Sequence, residues 1–287
     1  MTASLLLFLA SGSLTGAAAQ ERSLSRTPYA RLFLTGPPAA SLAQAAAQHP
    51  PEPEHTGIAA LVFATGRDFA AFPKRKSTWV ILGLGGAAAL AVHPWDTEIN
   101  NELQEANTLK KVMTPGKYLG YGWVQMGAAA GMYAIGRYAM EPEVPGTHTN
   151  KWSHLGFDLL RAQILTQAFT YGIKVAVQRD RPTGECCAFP SGHASVTFAT
   201  ASVIERHFGY RGSWPMFLIA GYVSASRLTD NRHYLSDVLF GSALGIASGW
   251  TVVGRHGRET FTMYPVPVRG GVAVAGQWLP HQTVSNH

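Results

Sequence analysis

Apolar segments recur along the chain at about residues 79–92, 118–140, 155–178, 194–208, 214–225 and 238–254, with shorter polar connections between them. No other feature restricts the fold as strongly. Runs of this length without alternation are helix candidates, and a strand pattern is almost absent before residue 260. The spacing predicts an all-α fold, a six-helix bundle in which short connections make neighbours antiparallel. Only 14% of the residues are charged and 30 are glycine, which favours helices that pack with close backbone approach.

The third-to-fourth and fifth-to-sixth connections carry three polar blocks, which such a bundle brings to one end. The first is Lys174 followed by Arg181 and Pro182. On a continuous helix, that spacing puts Lys174 and Arg181 on one face two turns apart, and Pro182 biases Arg181 out of helical dihedrals. Two cations then converge on one anion, the guanidinium by bidentate contact and the ammonium as a point charge. A solvated helix face is the alternative. The second block, Pro190-Ser191-Gly192-His193, precedes an apolar run to about Phe208. Ser191 or a neighbour therefore caps a helix whose first-turn N–H groups suit an oxyanion, although an ordinary capped helix explains this block alone. The third block is Ser226-Arg227 with His233 and Asp237. A carboxylate four residues on reaches the imidazole if the stretch is helical. Ser236 is a competing helix start, in which case a loop has to join the pair.

Together the blocks, Lys-x6-Arg-Pro, Pro-Ser-Gly-His and Ser-Arg-x5-His-x3-Asp, resemble the signature of the type 2 phosphatidic acid phosphatase superfamily. That superfamily also contains bacterial class A acid phosphatases and vanadium haloperoxidases. The resemblance covers Lys174 to Asp237 by motif and about residues 79–254 by helical pattern. It implies that His233 attacks phosphorus and forms a phosphohistidine, that Asp237 orients His233, and that His193 protonates the leaving oxygen and then activates water. Lys174, Arg181, Ser191, Gly192 and Arg227 would bind the substrate's phosphoryl oxygens. No metal and no cofactor is implied. The expected substrate is a phosphorylated lipid, such as phosphatidate or a polyprenyl diphosphate, or else a small phosphate ester cleaved by a broad-specificity periplasmic acid phosphatase. Vanadium haloperoxidase chemistry is a remote alternative, since such enzymes are considerably longer. A non-catalytic phosphate-binding module has little use for His193 beside the His233–Asp237 pair.

The rest of the chain is less informative. A formal net charge of +6 favours anionic partners, a membrane surface among them. Nucleic acid is not indicated, because the basic run Lys74-Arg75-Lys76 lacks an accompanying aromatic stripe. Residues 1–19 read as a signal peptide, 20–78 as an N-terminal extension and linker, 79–255 as the helical bundle and 256–287 as a tail. Alternation around Arg269-Gly270-Gly271 suggests a small C-terminal hairpin, which Pro265 and Pro267 confine to an edge or to irregular structure. Adjacent Cys186 and Cys187 suggest neither a disulfide nor a zinc site. Asp96, Glu98 and Glu102 read as a solvated helix start, with the lining of the site mouth as the alternative. Export to the periplasm or cell envelope is expected. A short first segment, Asp158 and Arg161 in the third, and a mean hydropathy of +0.03 favour a soluble or surface-bound bundle over a membrane-spanning one. Against this, Lys74-Arg75-Lys76, Arg206 with Arg211, and Arg255 with Arg258 would share one side of a six-span arrangement.

Overall fold

The computed structural model describes residues 56–143 and 146–254, and the backbone of two strands at 260–268 and 271–279. The expected signal peptide at 1–19, residues 20–55 of the expected extension and linker, Arg255, Arg258 and the Arg269-Gly270 turn lie outside the described residues. The chain forms α1 (Ile58–Ala71), α2 (Lys76–Val92), α3 (Asp96–Glu105), α4 (Asn107–Met113), α5 (Gly116–Leu119) and α6 (Gly122–Tyr138), then α7 (Lys151–Val177), α8 (Gly192–Thr229) and α9 (Leu235–Val253). Strands β1 (Thr260–Val268) and β2 (Gly271–Leu279) pair antiparallel, with Val268 opposite Gly271. Pro265 and Pro267 share a parity, so both missing N–H groups fall on one edge of β1.

Each of the six apolar segments is helical, and the fold is all-α around them. Two of the segments form α8, whose halves meet at Gly209. Its φ of +70° lies in the left-handed region that glycine tolerates, and there the chain doubles back. Phe198 and Phe217 consequently face each other across the two halves, with ring centroids 6.2 Å apart. α7 starts on Asn150, whose side chain accepts from the N–H groups of Trp152 and Ser153, and it stops where Gln178 turns left-handed at φ +49°.

Close approach is built from glycine. A Cβ on Gly245 would lie 2.2 Å from the Ser195 carbonyl oxygen, so α9 rests directly on the first half of α8. Gly156 likewise lets α7 touch the backbone of α6 at Tyr133. Leu165, Val203 and Leu244 fill the centre and are essentially fully buried, each contributing about 2 kcal/mol through lost water contact.

Helix α1 precedes the start expected at residue 79 and packs on α7. Asp68 takes two hydrogen bonds of 2.8 Å from Arg161, and Phe72 stacks on Phe169 at 4.2 Å. Its pattern is partly inverted: Thr65 and Asp68 face inward beside Leu61 and Phe69, while Ile58, Val62 and Phe63 are 72%, 66% and 76% exposed. α2 repeats this, with Thr78, Gly85 and Ala89 buried and Trp79, Val80, Leu84 and Leu90 exposed. Two helical stretches, Lys76–Glu105 and Leu235–Val253, are long and apolar enough to cross a membrane by length and composition.

Candidate active site

The three polar blocks converge where α7 ends and where α8 and α9 begin. Lys174 occupies the last turn of α7 and donates to the carbonyl oxygens of Cys187 and Ala188. Arg181 is not on that helix. α7 stops at Val177, because Gln178 closes it with an N–H bond to the Lys174 carbonyl at 3.0 Å, and Arg181 instead enters a tight turn to Glu185. The one-helix-face geometry expected for the pair is therefore replaced by a loop. In that loop Cys186 and Cys187 are joined by a disulfide, contrary to expectation, and Cys187 takes a positive φ of 77°.

Ser191 is the N-cap of α8, yet its side chain makes no capping bond. Its backbone N–H instead donates to the Asp237 carbonyl at 2.9 Å, which ties the second block to the third. Gly192 opens α8 beside Lys174, and a Cβ there would lie 4.0 Å from Lys174 Cε. His193 follows, with Nε2 3.1 Å from the Lys117 carbonyl and its ring edge-on to Tyr121. Arg227 returns on the last turn of α8 and pairs with Asp230 at 2.9 Å.

α9 begins at Leu235, so His233 lies before the helix, in the arrangement that the competing start implied. Asp237 acts as the helix cap: Oδ2 accepts the Tyr234 N–H at 2.8 Å and stands 3.6 Å from His233 Nδ1. Its other oxygen is held by Arg179 Nη1 at 2.7 Å. The same guanidinium reaches Ser236 Oγ at 2.7 Å and Asp96 Oδ2 at 2.8 Å. Asp96 is thus buried, at 2% exposure, and not a solvated helix start; Glu98 and Glu102 do face solvent. Arg179 and Asp96 were not singled out as site residues, because nothing in the local pattern links positions so far apart.

The structure therefore brings the eight predicted residues together, seven around a common cup and Asp237 behind His233. Three of the cup's buried polar atoms have no partner within the protein: Arg181 Nε, Ser191 Oγ and Arg227 Nε. Buried polar atoms are normally paired, so a cluster of orphans around three cations is a place prepared for an anion. Burial, reinforced by Arg227 and His233, pushes His193 down to about 3. Burial likewise lowers His233 to about 4, with Asp237 opposing and Lys174 adding to the shift. Lys174 is brought to about 8 by burial and by Arg181. A cleft of about 390 Å³ adjoins the cup and includes Gly120, Gln167, Thr170, Tyr171, Lys174 and His193.

Among the described residues, His154, Asp158 and His207 form one cluster with metal-ligating atoms, about 24 Å down α7 from Lys174. Hydrogen bonding accounts for it. Both imidazole Nε2 atoms bond Asp158 Oδ2, at 3.1 and 3.0 Å, and Arg161 bonds Oδ1 at 2.8 Å.

Residues 155–261 match the PAP2 superfamily, in agreement with the resemblance carried by the motifs. The chain is 36% identical over 101 residues to a lipid A 1-phosphatase of Porphyromonas gingivalis, a match that covers 33% of this chain and 21% of that protein. It is 24% identical over 140 residues to a lipid A 4'-phosphatase of Helicobacter pylori, covering 42% of this chain and 71% of that protein. The matched region thus spans about a fifth of the first relative's length. Among solved structures, a transmembrane PAP2 type phosphatidylglycerolphosphate phosphatase from Bacillus subtilis aligns with a TM-score of 0.48 at 19% identity, over 61% of this chain and 92% of that one.

Proposed function

Given that residues 155–261 are a PAP2 superfamily region, we propose that this protein is a phosphatase that removes phosphate from a lipid-borne ester through a phosphohistidine on His233. The observation that carries this reading is the set of orphaned donors in the cup. Arg181, Arg227, Lys174, the Ser191 hydroxyl and the Gly192 N–H would take the equatorial oxygens, a task in which fixed donors contribute most of the rate. Asp237 faces Nδ1 of His233, which leaves Nε2 as the attacking lone pair. The bond from phosphorus to the ester oxygen breaks as the bond to Nε2 forms. His193 delivers a proton to the departing oxygen and then takes one from the water that releases phosphate. Burial, with the field of Arg227, disfavours protonation of His193. A phosphate dianion opposes the field of Arg227 and Lys174, raises the affinity of His193 for a proton, and so arms the acid as substrate binds. The scheme assigns no step to a metal.

A lipid substrate is favoured over a soluble ester by the exterior of the bundle. Val62, Phe63, Trp79, Leu84, Trp123, Ile135 and Leu218 are all more than half exposed, across α1, α2, α6 and α8. A patch of that extent marks a surface made for lipid or protein. Relatives named as lipid A phosphatases support the same choice. Arg75 sits at the opposite end from the cup, where it donates to the Trp250 carbonyl at 3.3 Å, so the basic cluster and the cup occupy opposite faces. The positive-inside rule then turns the cup outward, toward the cell envelope. The test is a substrate panel on wild type and His233→Ala. Wild type should hydrolyse a micellar lipid phosphate faster than an aryl phosphate, without loss in EDTA. Turnover by His233→Ala, or activity that magnesium alone restores, defeats the reading.

A further inference from the structure

Behind the cup lies a second, buried polar group, which the three motif blocks enter only through Asp237. Arg179 extends from the loop after α7 and lies 4.3 Å over the Tyr234 ring, which fixes its plane. Nη1 donates to Asp237 Oδ1 and Ser236 Oγ, both at 2.7 Å, and Nη2 donates to Asp96 Oδ2 at 2.8 Å. Asp96, from the start of α3, accepts the Ser236 N–H on Oδ1 at 3.0 Å and the Ser236 hydroxyl on Oδ2. Asp96, Ser236 and Asp237 are 2%, 3% and 0% exposed. His93 Nδ1 is 3.1 Å from the same Asp96 oxygen and closes the outer side.

From this geometry we infer that Arg179 and Asp96 are positioning residues, which fix Asp237 so that it both orients His233 and keeps enough negative charge to stabilise a cationic imidazole. The orientation follows from counting oxygens. Asp237 Oδ1 is fixed by Arg179 and Oδ2 by the Tyr234 N–H, so the carboxylate cannot rotate away from His233 Nδ1. The charge follows from counting ions. Arg179 facing Asp237 alone would neutralise it, and a neutral pair does little for a neighbouring cation. Asp96 draws on the same guanidinium, so Asp96, Arg179 and Asp237 together carry one net negative charge at the side of His233 away from the cup. Little water is present there to screen it. The two residues come from distant parts of the chain, the start of α3 and the end of α7. Their meeting locks the loop that carries Arg181 to the loop that carries His233.

The inference rests on His233 as the nucleophile, and the experiment separates the two. Asp96→Asn keeps the shape of the carboxylate and removes its charge, whereas Arg179→Lys keeps charge and loses the fork. Arg179→Gln loses both. Steady-state hydrolysis of an aryl phosphate is measured beside acid-quench trapping of ³²P-phosphoprotein, with active sites counted by orthovanadate titration. The expected result is a kcat per vanadate-binding site lower by about 10- to 100-fold in Asp96→Asn and Arg179→Gln, the size of loss seen when the outer partners that orient metal-bound histidines are removed. KM should stay within about twofold, the phosphoenzyme should form more slowly, and Arg179→Lys should fall between wild type and Arg179→Gln. Normal turnover per site with fewer sites would make the network merely structural and overturn the inference. A rise in KM at constant kcat would overturn it too, by moving Arg179 into substrate binding. Wild-type turnover that survives His233→Ala would instead defeat the nucleophile assignment itself.

Discussion

Acid should loosen this protein, and the amount is set by two histidines. His193 and His233 are held at about 3 and about 4 in the folded chain, chiefly by burial, against 6.5 for a free imidazole. The sign follows directly. Above pH 6.5 both rings are neutral, folded or unfolded, and contribute nothing. Below it the unfolded chain takes up protons that the folded chain refuses, so stability falls as pH falls, by up to about 1.4 kcal/mol per unit for each ring. From pH 7 to pH 5 each histidine therefore removes about 2 kcal/mol, and the pair about 4 kcal/mol, a large share of a typical domain's stability. Lys174, at about 8, is protonated in both states throughout this window and leaves the slope unchanged. Urea unfolding of the detergent-solubilised protein, followed by tryptophan fluorescence at pH 7 and pH 5, reads the loss. His193→Gln, which cannot titrate, should show about half of it. Saturating phosphate should restore part of the wild-type loss, since a dianion in the cup lets His193 accept its proton. An unchanged pH dependence in His193→Gln would refute the assignment of the penalty to the cup.

Other consequences are direct. Ser191 Oγ is fully buried and unpartnered, so Ser191→Ala should raise stability by about 1 kcal/mol while lowering kcat/KM by about tenfold through the lost bond to a charged oxygen; equal effects in the same direction would show a purely structural hydroxyl. Gly245→Ala forces a methyl group against the Ser195 carbonyl and should cost about 1–3 kcal/mol, read as a lower Tm at normal KM in the surviving folded fraction. The protein should remain with the membrane fraction after carbonate washing, because large apolar residues stand exposed on several of its helices; release into the supernatant would count against lipid contact.

The bundle and cup were legible in the sequence because both rest on short-range pattern. Apolar runs specify helices, and the three blocks sit at helix ends, where backbone N–H groups are unpaired. What was not legible depends on where the chain turns. Lys174 and Arg181 share a face only if α7 continues, and a left-handed Gln178 ended it first. Asp96 reads as a polar helix start until Arg179 arrives from a position 83 residues away. α1 does not read as part of the bundle because Ile58, Val62 and Phe63 point outward and Thr65 and Asp68 inward, although Leu61 and Phe69 do pack on the core. A rule that looks for a core-facing apolar stripe assigns such a helix the wrong way round.

That inversion also bears on the question that the charges in the third segment raised. Asp158 and Arg161 argue against lipid contact only if they face outward, and they do not. Arg161 spans Asp68 of α1 and Asp158 of its own helix, both within 2.8 Å, in a buried network completed by His154 and His207. α7 is therefore charged within and apolar where Tyr171 and Val175 stand exposed. A protein surrounded by water puts such pairs on the surface, where they cost little. One surrounded by lipid has to pair them inside, and the glycine contacts at Gly156 and Gly245 supply the close packing that replaces a water-driven core. The same arrangement puts the cup at the helix ends, where the apolar belt stops. On the proposed function, a phosphate there would stay in water while the chains it is esterified to remained beside Tyr171 and Trp123, so hydrolysis would need no part of the lipid to leave its own phase.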